Sequence, residues 1–539
     1  MSSWTRFGSK AFAARAQAQA MAFESRRIEP DERVAARATM EEIIDAISDP
    51  LARAIFIAAG RTFALKREFE SLHKLIAGGT GSGKSTYVRL LLTARVMESA
   101  MRVATRWRSA RSDLDSALLD TETLIIDPKD DAPRFKMAFA AAYRLLPPDA
   151  RRVLRGSFLS IEVRSDRVTP RPLLTRQHGV SVEFQAQLTT DILILTSPAD
   201  FSATMQALLY QLLRLLLYAY PDAPLDPITC HVILSDAPYR MTMLPRLPAD
   251  LADYFGRLQE NASPQTIAAL LRRLQILLSY PEIRAMLGLP AGTRVAGKTR
   301  RITIADCGTT LLPPSIGLAL ANLLVTEVGL VAGTRDRSVE KVVFLDEAAY
   351  VLSQLPSLLA RFLNVLRVLR SSNTSFWFAV QSLQSLPAFA VEEILTNVGQ
   401  TVAFQSRDDI ASILAPHLYV APGDQRREHE RRSAFVRDLA SLAPREAVLW
   451  VKGHDAIRTR VAEFADPVTS SGVPARELLD LFDTELAAGS TIPIATADHI
   501  LAEWRASHLP PHRTPRTTTA ERRVDTPSIR SIFGLGEDE

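Results

Sequence analysis

Cysteine is almost missing from this chain: there are two, Cys230 and Cys307, far apart and in no CxxC spacing. A disulfide-stapled fold is therefore excluded, and a reducing compartment is the expected setting. Charge of one sign is also lacking, since 64 Lys and Arg face 60 Asp and Glu for a net charge of +4. That balance excludes a disordered polyelectrolyte and leaves any nucleic-acid partner to be met by local basic patches. Long apolar runs are missing too. A spanning helix needs about 20 mostly apolar residues. Residues 207–220 are interrupted by Arg214, residues 307–326 contain Pro313-Pro314, and residues 371–391 are rich in Ser, Asn and Gln. No direct membrane span is expected. The first residues scatter Arg and Lys without an apolar h-region, so they do not read as a secretory signal. No fixed-period repeat occurs.

What is present fits a folded protein: 47% hydrophobic and 23% charged residues. At roughly 100–200 residues per domain, 539 residues suggest three or four units. Residues 1–65 read as a helical N-terminal segment broken at Asp49-Pro50. Apolar runs end in carboxylates at Ile125-Ile126-Asp127 and Phe344-Leu345-Asp346, as buried parallel strands do. Residues 180–187 alternate, and residues 192–195 form another strand-like apolar run. From Phe201 to about Leu287 the Leu spacing is helical, and apolar runs return at 302–304, 342–345, 376–380, 401–404 and 448–451. The expected fold class is α/β: a core with a mostly parallel central sheet, an inserted all-α domain and the helical N-terminal segment. The boundaries expected are 66–197 and 299–466 for the two parts of the core, and 198–298 for the inserted domain. A helical C-terminal extension follows over 467–506, and a disordered Pro-, Arg- and Thr-rich tail over 507–539.

Gly78-Gly79-Thr80-Gly81-Ser82-Gly83-Lys84-Ser85, with Thr86 next, satisfies G-x-x-x-x-G-K-[ST] between a strand-like and a helix-like segment. Glycines there let successive backbone N–H groups turn inward as an anion nest at a helix N-terminus. Lys84 is placed to reach β- and γ-phosphates, and Ser85 to ligate Mg2+. The segment reads as a nucleoside triphosphate site. A second acidic partner is needed at another strand end. Asp346-Glu347 supplies it, with Asp346 holding the metal and Glu347 polarising the attacking water. Gln381 follows the apolar run 376–380 and is expected at the same sheet edge, either to sense the γ-phosphate or position water, or as a polar cap on the strand. Arg367 and Arg370 end the preceding helix, where each reads equally as a surface charge or as a finger into a neighbouring subunit.

Together these motifs resemble the FtsK/HerA superfamily of ring-shaped DNA motors. The set comprises Gly78 to Ser85, Asp127-Pro128-Lys129-Asp130, Leu345-Asp346-Glu347-Ala348, Val380-Gln381-Ser382 and Leu395-Thr396-Asn397-Val398-Gly399. Within it, the order of parts is most similar to the type IV secretion coupling proteins of conjugation (TraG/TraD-like), over about residues 70–465. The resemblance implies a RecA-like core and a homo-hexamer with ATP and Mg2+ at subunit interfaces, moving DNA through a central channel. It implies that Gln381 is the glutamine after the sensing strand, and it favours Arg370 over Arg367 as the arginine acting in the adjacent subunit. Asp127 and Lys129 match the family's Asp-x-Lys strand end. The chain departs from the family in its N-terminal segment, which resembles neither membrane helices nor a small β-barrel.

Basic residues gather at Arg102, Arg106, Arg108 and Arg111, at Arg151, Arg152 and Arg155, at Lys298, Arg300 and Arg301, and at Arg426, Arg427, Arg431 and Arg432. Such groups suit either sequence-blind phosphate tracking or a solvated helix face. The expected function is an ATP-hydrolysing DNA translocase serving a type IV secretion or conjugation machine. It is expected to be cytoplasmic, reaching the inner face of the membrane through a partner such as a secretion-channel or relaxase-type protein. The N-terminal segment or the C-terminal tail would make that contact. Two alternatives stay open: a HerA-like motor in repair, packaging or antiphage defence, and an ATP-gated adaptor for protein substrates.

Overall fold

The computed structural model describes residues 72–510 except 111–116, 176–179, 196–200, 292, 294–299, 309–311, 332–337, 355, 370–372, 407, 419–424, 453–456 and 461–466. The N-terminal segment 1–65, Arg370 and residues 511–539 lie outside the described residues.

Eleven strands occur among the described residues. They are β1 (Lys74–Ala77), β2 (Thr121–Asp127), β3 (Phe158–Ile161), β4 (Arg167–Val168), β5 (Ile302–Asp306), β6 (Glu340–Leu345), β7 (Thr374–Val380), β8 (Gln400–Phe404), β9 (Glu446–Val451), β10 (Ile457–Arg460) and β11 (Ile492–Pro493). Nine form one sheet in the order β10-β9-β8-β1-β7-β6-β2-β5-β3. From β8 to β3 every pairing is parallel, and β9 and β10 add an antiparallel edge. β1, β7 and β8 are buried along their whole length, as strands covered on both faces must be. Their side chains alternate between two cores: Phe376 and Phe378 enter one, Trp377 and Ala379 the other. Helices Lys84–Ala110, Ala132–Leu145 and Pro148–Leu154 fill the second core. Helices Pro314–Val331, Pro356–Leu369 and Ala388–Asn397 fill the first. The α/β class with a mostly parallel central sheet is the fold found.

One reading is corrected. The alternating residues 180–187 and the apolar run 192–195 are not strands but one helix, Val182–Leu195. Val182, Ala186 and Leu193 fall at helical spacing and are all buried, and the Thr190 hydroxyl donates to the Ala186 carbonyl at 2.8 Å. A short apolar run is ambiguous between strand and helix, and packing against helix Ala203–Ala219 resolves it.

The C-terminal segment is built into both parts of the molecule. Leu478, Phe482 and Leu486 are fully buried in the second core, with the Phe482 ring edge-on to Phe158 at 5.3 Å. β11 pairs antiparallel with β4. Helix Ile494–His508 then crosses to the helical insertion, where Arg505 donates to both oxygens of buried Asp226 at 2.9 and 2.7 Å. Ser507 and His508, expected in a disordered tail, belong to this helix. Among the described residues no helix is long and apolar enough to cross a membrane.

Candidate functional site

The glycine-rich loop 78–83 leaves the carboxyl end of β1 and enters helix Lys84–Ala110. It is bolted to both neighbouring strands and to a more distant turn. Gly78 N–H donates to the Val380 carbonyl at 3.2 Å, Gly79 N–H to Gln405 at 2.8 Å, and Arg445 N–H to the Ser82 carbonyl at 2.9 Å. Gly81 has φ 76° and Gly83 φ 111°, a region that side chains rarely adopt. A Cβ at Gly83 would also stand 3.2 Å from the Arg445 Cα, whereas Gly81 opens to free space. The loop is thus closed behind and open in front, as an anion cradle requires.

Lys84 is 6% exposed and lies over this loop, donating to the Gly79 carbonyl at 2.9 Å and also to Gly78. Burial holds its ammonium below the ordinary lysine range, with the carboxylates of Glu347 and Asp346 pulling the other way. A buried cation held by neutral carbonyls beside an open nest fits a polyanionic phosphate group. Ser85 and Thr86 occupy the first turn of the helix beside it.

β7 lies between β1 and β6, so the residue after β7 stands between the loop and the acidic strand end. The geometry makes that adjacency a hydrogen-bonded line. The Thr80 hydroxyl donates to Gln381 Oε1 at 3.1 Å, and Gln381 Nε2 donates to Glu347 Oε1 at 2.5 Å. The same Glu347 oxygen pairs with the Lys129 ammonium. Glu347 has φ 43°, an unusual left-handed conformation that turns its side chain back over the sheet edge. Asp346 is buried, and its Oδ1 accepts the Glu347 N–H at 2.9 Å. Burial, with the Glu347 charge adding, pushes its carboxyl up to about 6. A buried carboxylate whose charge is felt at Lys84, next in sequence to the Ser85 hydroxyl, offers oxygen donors of the kind a hard divalent cation takes.

Of the sequence-predicted residues, Lys84, Thr80, Asp346, Glu347 and Gln381 converge at this edge. Arg370 lies outside the described residues. Arg367 is exposed and pairs with Glu393 on helix Ala388–Asn397. Members of three of the basic groups have internal partners. Arg102 donates to Asp120 at 3.1 and 3.0 Å, Arg155 to Glu485 at 2.7 Å, Arg301 to Glu122 at 2.5 Å, and Arg300 to the carbonyls of Phe158 and Ala488.

Sequence reasoning left two neighbours without a role. Asp127, legible as a strand-end carboxylate, and Asp306 end adjacent strands in register, and their adjacency is visible only through the pairing of β2 with β5. Asp127 is fully buried; its Oδ1 takes the Lys129 N–H at 2.9 Å and its Oδ2 has no partner. Burial pushes Asp127 up to about 7, with the charges of Asp346 and Asp306 adding, against the pull of the Lys129 N–H. Arg445, behind the loop, carries no sequence signal at all.

A pH dependence follows. An ordinary Asp titrates near about 3.9, so folding takes up a proton at Asp127 between about pH 4 and about pH 7. Stability contributed here is greatest below that window and falls as pH rises through it, by a few kcal/mol at most (roughly 1.4 per pKa unit). Asp127→Asn is expected to flatten the fall in thermal midpoint between about pH 5 and about pH 8 and to raise the midpoint at the alkaline end. Thermal unfolding across that range checks it, and an unchanged slope in the variant counts against the assignment.

No protein-family model matches the chain, and no curated protein matches it. Solved structures do. The chain is similar to the bacterial conjugative coupling protein TrwBdeltaN70 in its unbound monoclinic form, at 15% identity over 76% of this chain and 88% of that one, with a TM-score of 0.44. It is similar to VirB4 of Thermoanaerobacter pseudethanolicus at 14% identity over 74% and 91%, with a TM-score of 0.47. A third is the plasmid coupling protein TrwB in complex with ADP and Mg2+, at 13% identity over 74% and 88%, with a TM-score of 0.42. A conjugative coupling protein, the kind that the motif set resembles, is thus among its structural neighbours.

Proposed function

We propose that this chain hydrolyses ATP with Mg2+ and couples the hydrolysis to movement of DNA for a type IV secretion or conjugation machine. The observation that carries the hydrolytic part is the line Thr80–Gln381–Glu347–Lys129 set across an open glycine nest with Lys84 beside it. Ser85 and Asp346 would hold Mg2+, which would supply charge neutralisation at the bound phosphates. The nest N–H groups and Lys84 bind the phosphates and stabilise the charge that develops on them. Gln381 orients the attacking water. Glu347 takes a proton from it as its oxygen bonds to the γ-phosphorus, while the bond to the β–γ bridging oxygen breaks and ADP leaves with the electron pair.

The DNA-moving part rests on the ordered motif set, which also supports six copies around a channel with Arg370 reaching the neighbouring site. Action at the inner face of the membrane then runs through a partner protein. A second reading, the ATP-gated protein adaptor, is favoured by one observation. The described Arg102, Arg155 and Arg301 side chains are neutralised by the chain's own carboxylates.

The deciding experiment is the ATPase rate with and without single- and double-stranded DNA, beside the mass of the assembly with nucleotide. Stimulation by DNA together with a six-chain mass is the expected result. A rate indifferent to both DNA forms sinks the translocase reading in favour of the adaptor.

A further inference from the structure

The hydrolytic scheme leaves Lys129 without work, yet its ammonium is paired with the oxygen of Glu347 that also takes the Gln381 amide. Its backbone is fixed. The Lys129 N–H is tied to Asp127 Oδ1 at 2.9 Å, and Asp130 turns the chain at φ 65°. The side chain therefore leaves a rigid turn at the end of β2, two strands from β7 in the sheet. The two partners differ in exposure: the Lys129 side chain is 40% exposed and that of Glu347 only 9%. An exposed cation thus pairs with a confined anion.

Lys129 is joined to the phosphate cradle through Glu347 and Gln381, the latter bonded to Thr80 of the loop. Its charge is among those felt at Lys84, which it pushes in the same direction as burial does. A second ammonium group, tied by that hydrogen-bonded line to an anion nest, gives a site for more negative charge than Lys84 alone would hold. While Lys129 and Gln381 both donate to Glu347 Oε1, that oxygen is not available to accept a proton from water.

We propose that Lys129 is a nucleotide-sensing residue shared between Glu347 and the terminal phosphate of a bound nucleoside triphosphate. This rests on the ATPase reading and deepens it. The γ-phosphate draws the ammonium away from the carboxylate, and Glu347 is freed to act only when there is a phosphate to cleave. A diphosphate does not draw it away, so the residue distinguishes the two nucleotides.

The test is a binding cycle with a non-hydrolysable ATP analogue and with ADP, each with Mg2+. Four proteins are compared: wild type, Glu347→Gln, Lys129→Met and the double variant. A charge-assisted hydrogen bond is worth about tenfold or more in affinity. Lys129→Met is expected to weaken the ATP analogue about tenfold while changing ADP by less than about threefold. Glu347→Gln, which removes the competitor, is expected to tighten the ATP analogue about tenfold, with little change for ADP. The double variant is expected to lose that gain, which separates release of Lys129 from general relief of negative charge. Lys129→Arg should retain the wild-type pattern.

The inference is overturned if Glu347→Gln gains equally with and without Lys129, or if both nucleotides change alike. Should Lys129→Met fail to fold, unchanged discrimination in Glu347→Gln alone overturns it. Wild-type protein that binds neither nucleotide overturns the ATPase reading instead.

Discussion

Glu347→Gln is expected to bind ATP and to lose turnover by about 10²–10⁴-fold, the usual contribution of a positioned general base. The substitution preserves size and keeps one oxygen able to accept from Gln381, while the charge that holds Lys129 is lost. What it removes is the capacity to take a proton from water. The site around it needs little rearrangement, because Asp346 still accepts the backbone N–H of position 347. Binding should survive, since the nest, Lys84 and Asp346 are untouched. Multiple-turnover rates, beside retention of labelled ATP on the protein, check both halves. A variant that hydrolyses ATP at the wild-type rate removes Glu347 from the chemistry and leaves the assignment of this strand end without support.

Lys84→Ala is expected to lower kcat by about 10²–10³-fold, the order found when one preorganised donor to a developing anion is deleted. Nucleotide affinity should fall with it, because the ammonium serves bound phosphates before and during the reaction. Its effect differs in kind from that of Glu347→Gln: one variant fails to hold nucleotide, the other holds it and fails to cleave it. Lys84 also donates to the Gly78 and Gly79 carbonyls, so its loss is felt in the loop itself. A thermal midpoint measured alongside separates the two effects. Wild-type affinity and turnover in a folded Lys84→Ala protein would show that phosphate is held elsewhere.

Much of this site was legible because its parts are local. A glycine nest depends on neighbours within eight residues, and a strand ending in two carboxylates is read from six. Gln381 was placed at the correct edge by the simple rule that a polar residue after a buried strand emerges at its carboxyl end. The helix Val182–Leu195 was misread for the opposite reason. Its alternation of apolar and polar residues satisfied a strand template, and only the neighbouring helix Ala203–Ala219 supplied the surface that made it helical. The basic groups were readable as channel contacts for as long as their partners were unseen. Asp120, Glu122 and Glu485 turn three of them into internal ion pairs.

Sequence alone determined that this chain carries a glycine nest, an acidic strand end and a mostly parallel α/β core, since each is encoded by short-range pattern and composition. Tertiary structure alone decided how the pieces meet. Gln381 touches Glu347 across 34 positions, Lys129 touches it across 218, and Thr80 reaches Gln381 across 301. Those contacts depend on β7 lying between β1 and β6, a choice made by the burial of three strands at once. No local pattern records it, because side-chain contact between distant strands is a property of the packed sheet.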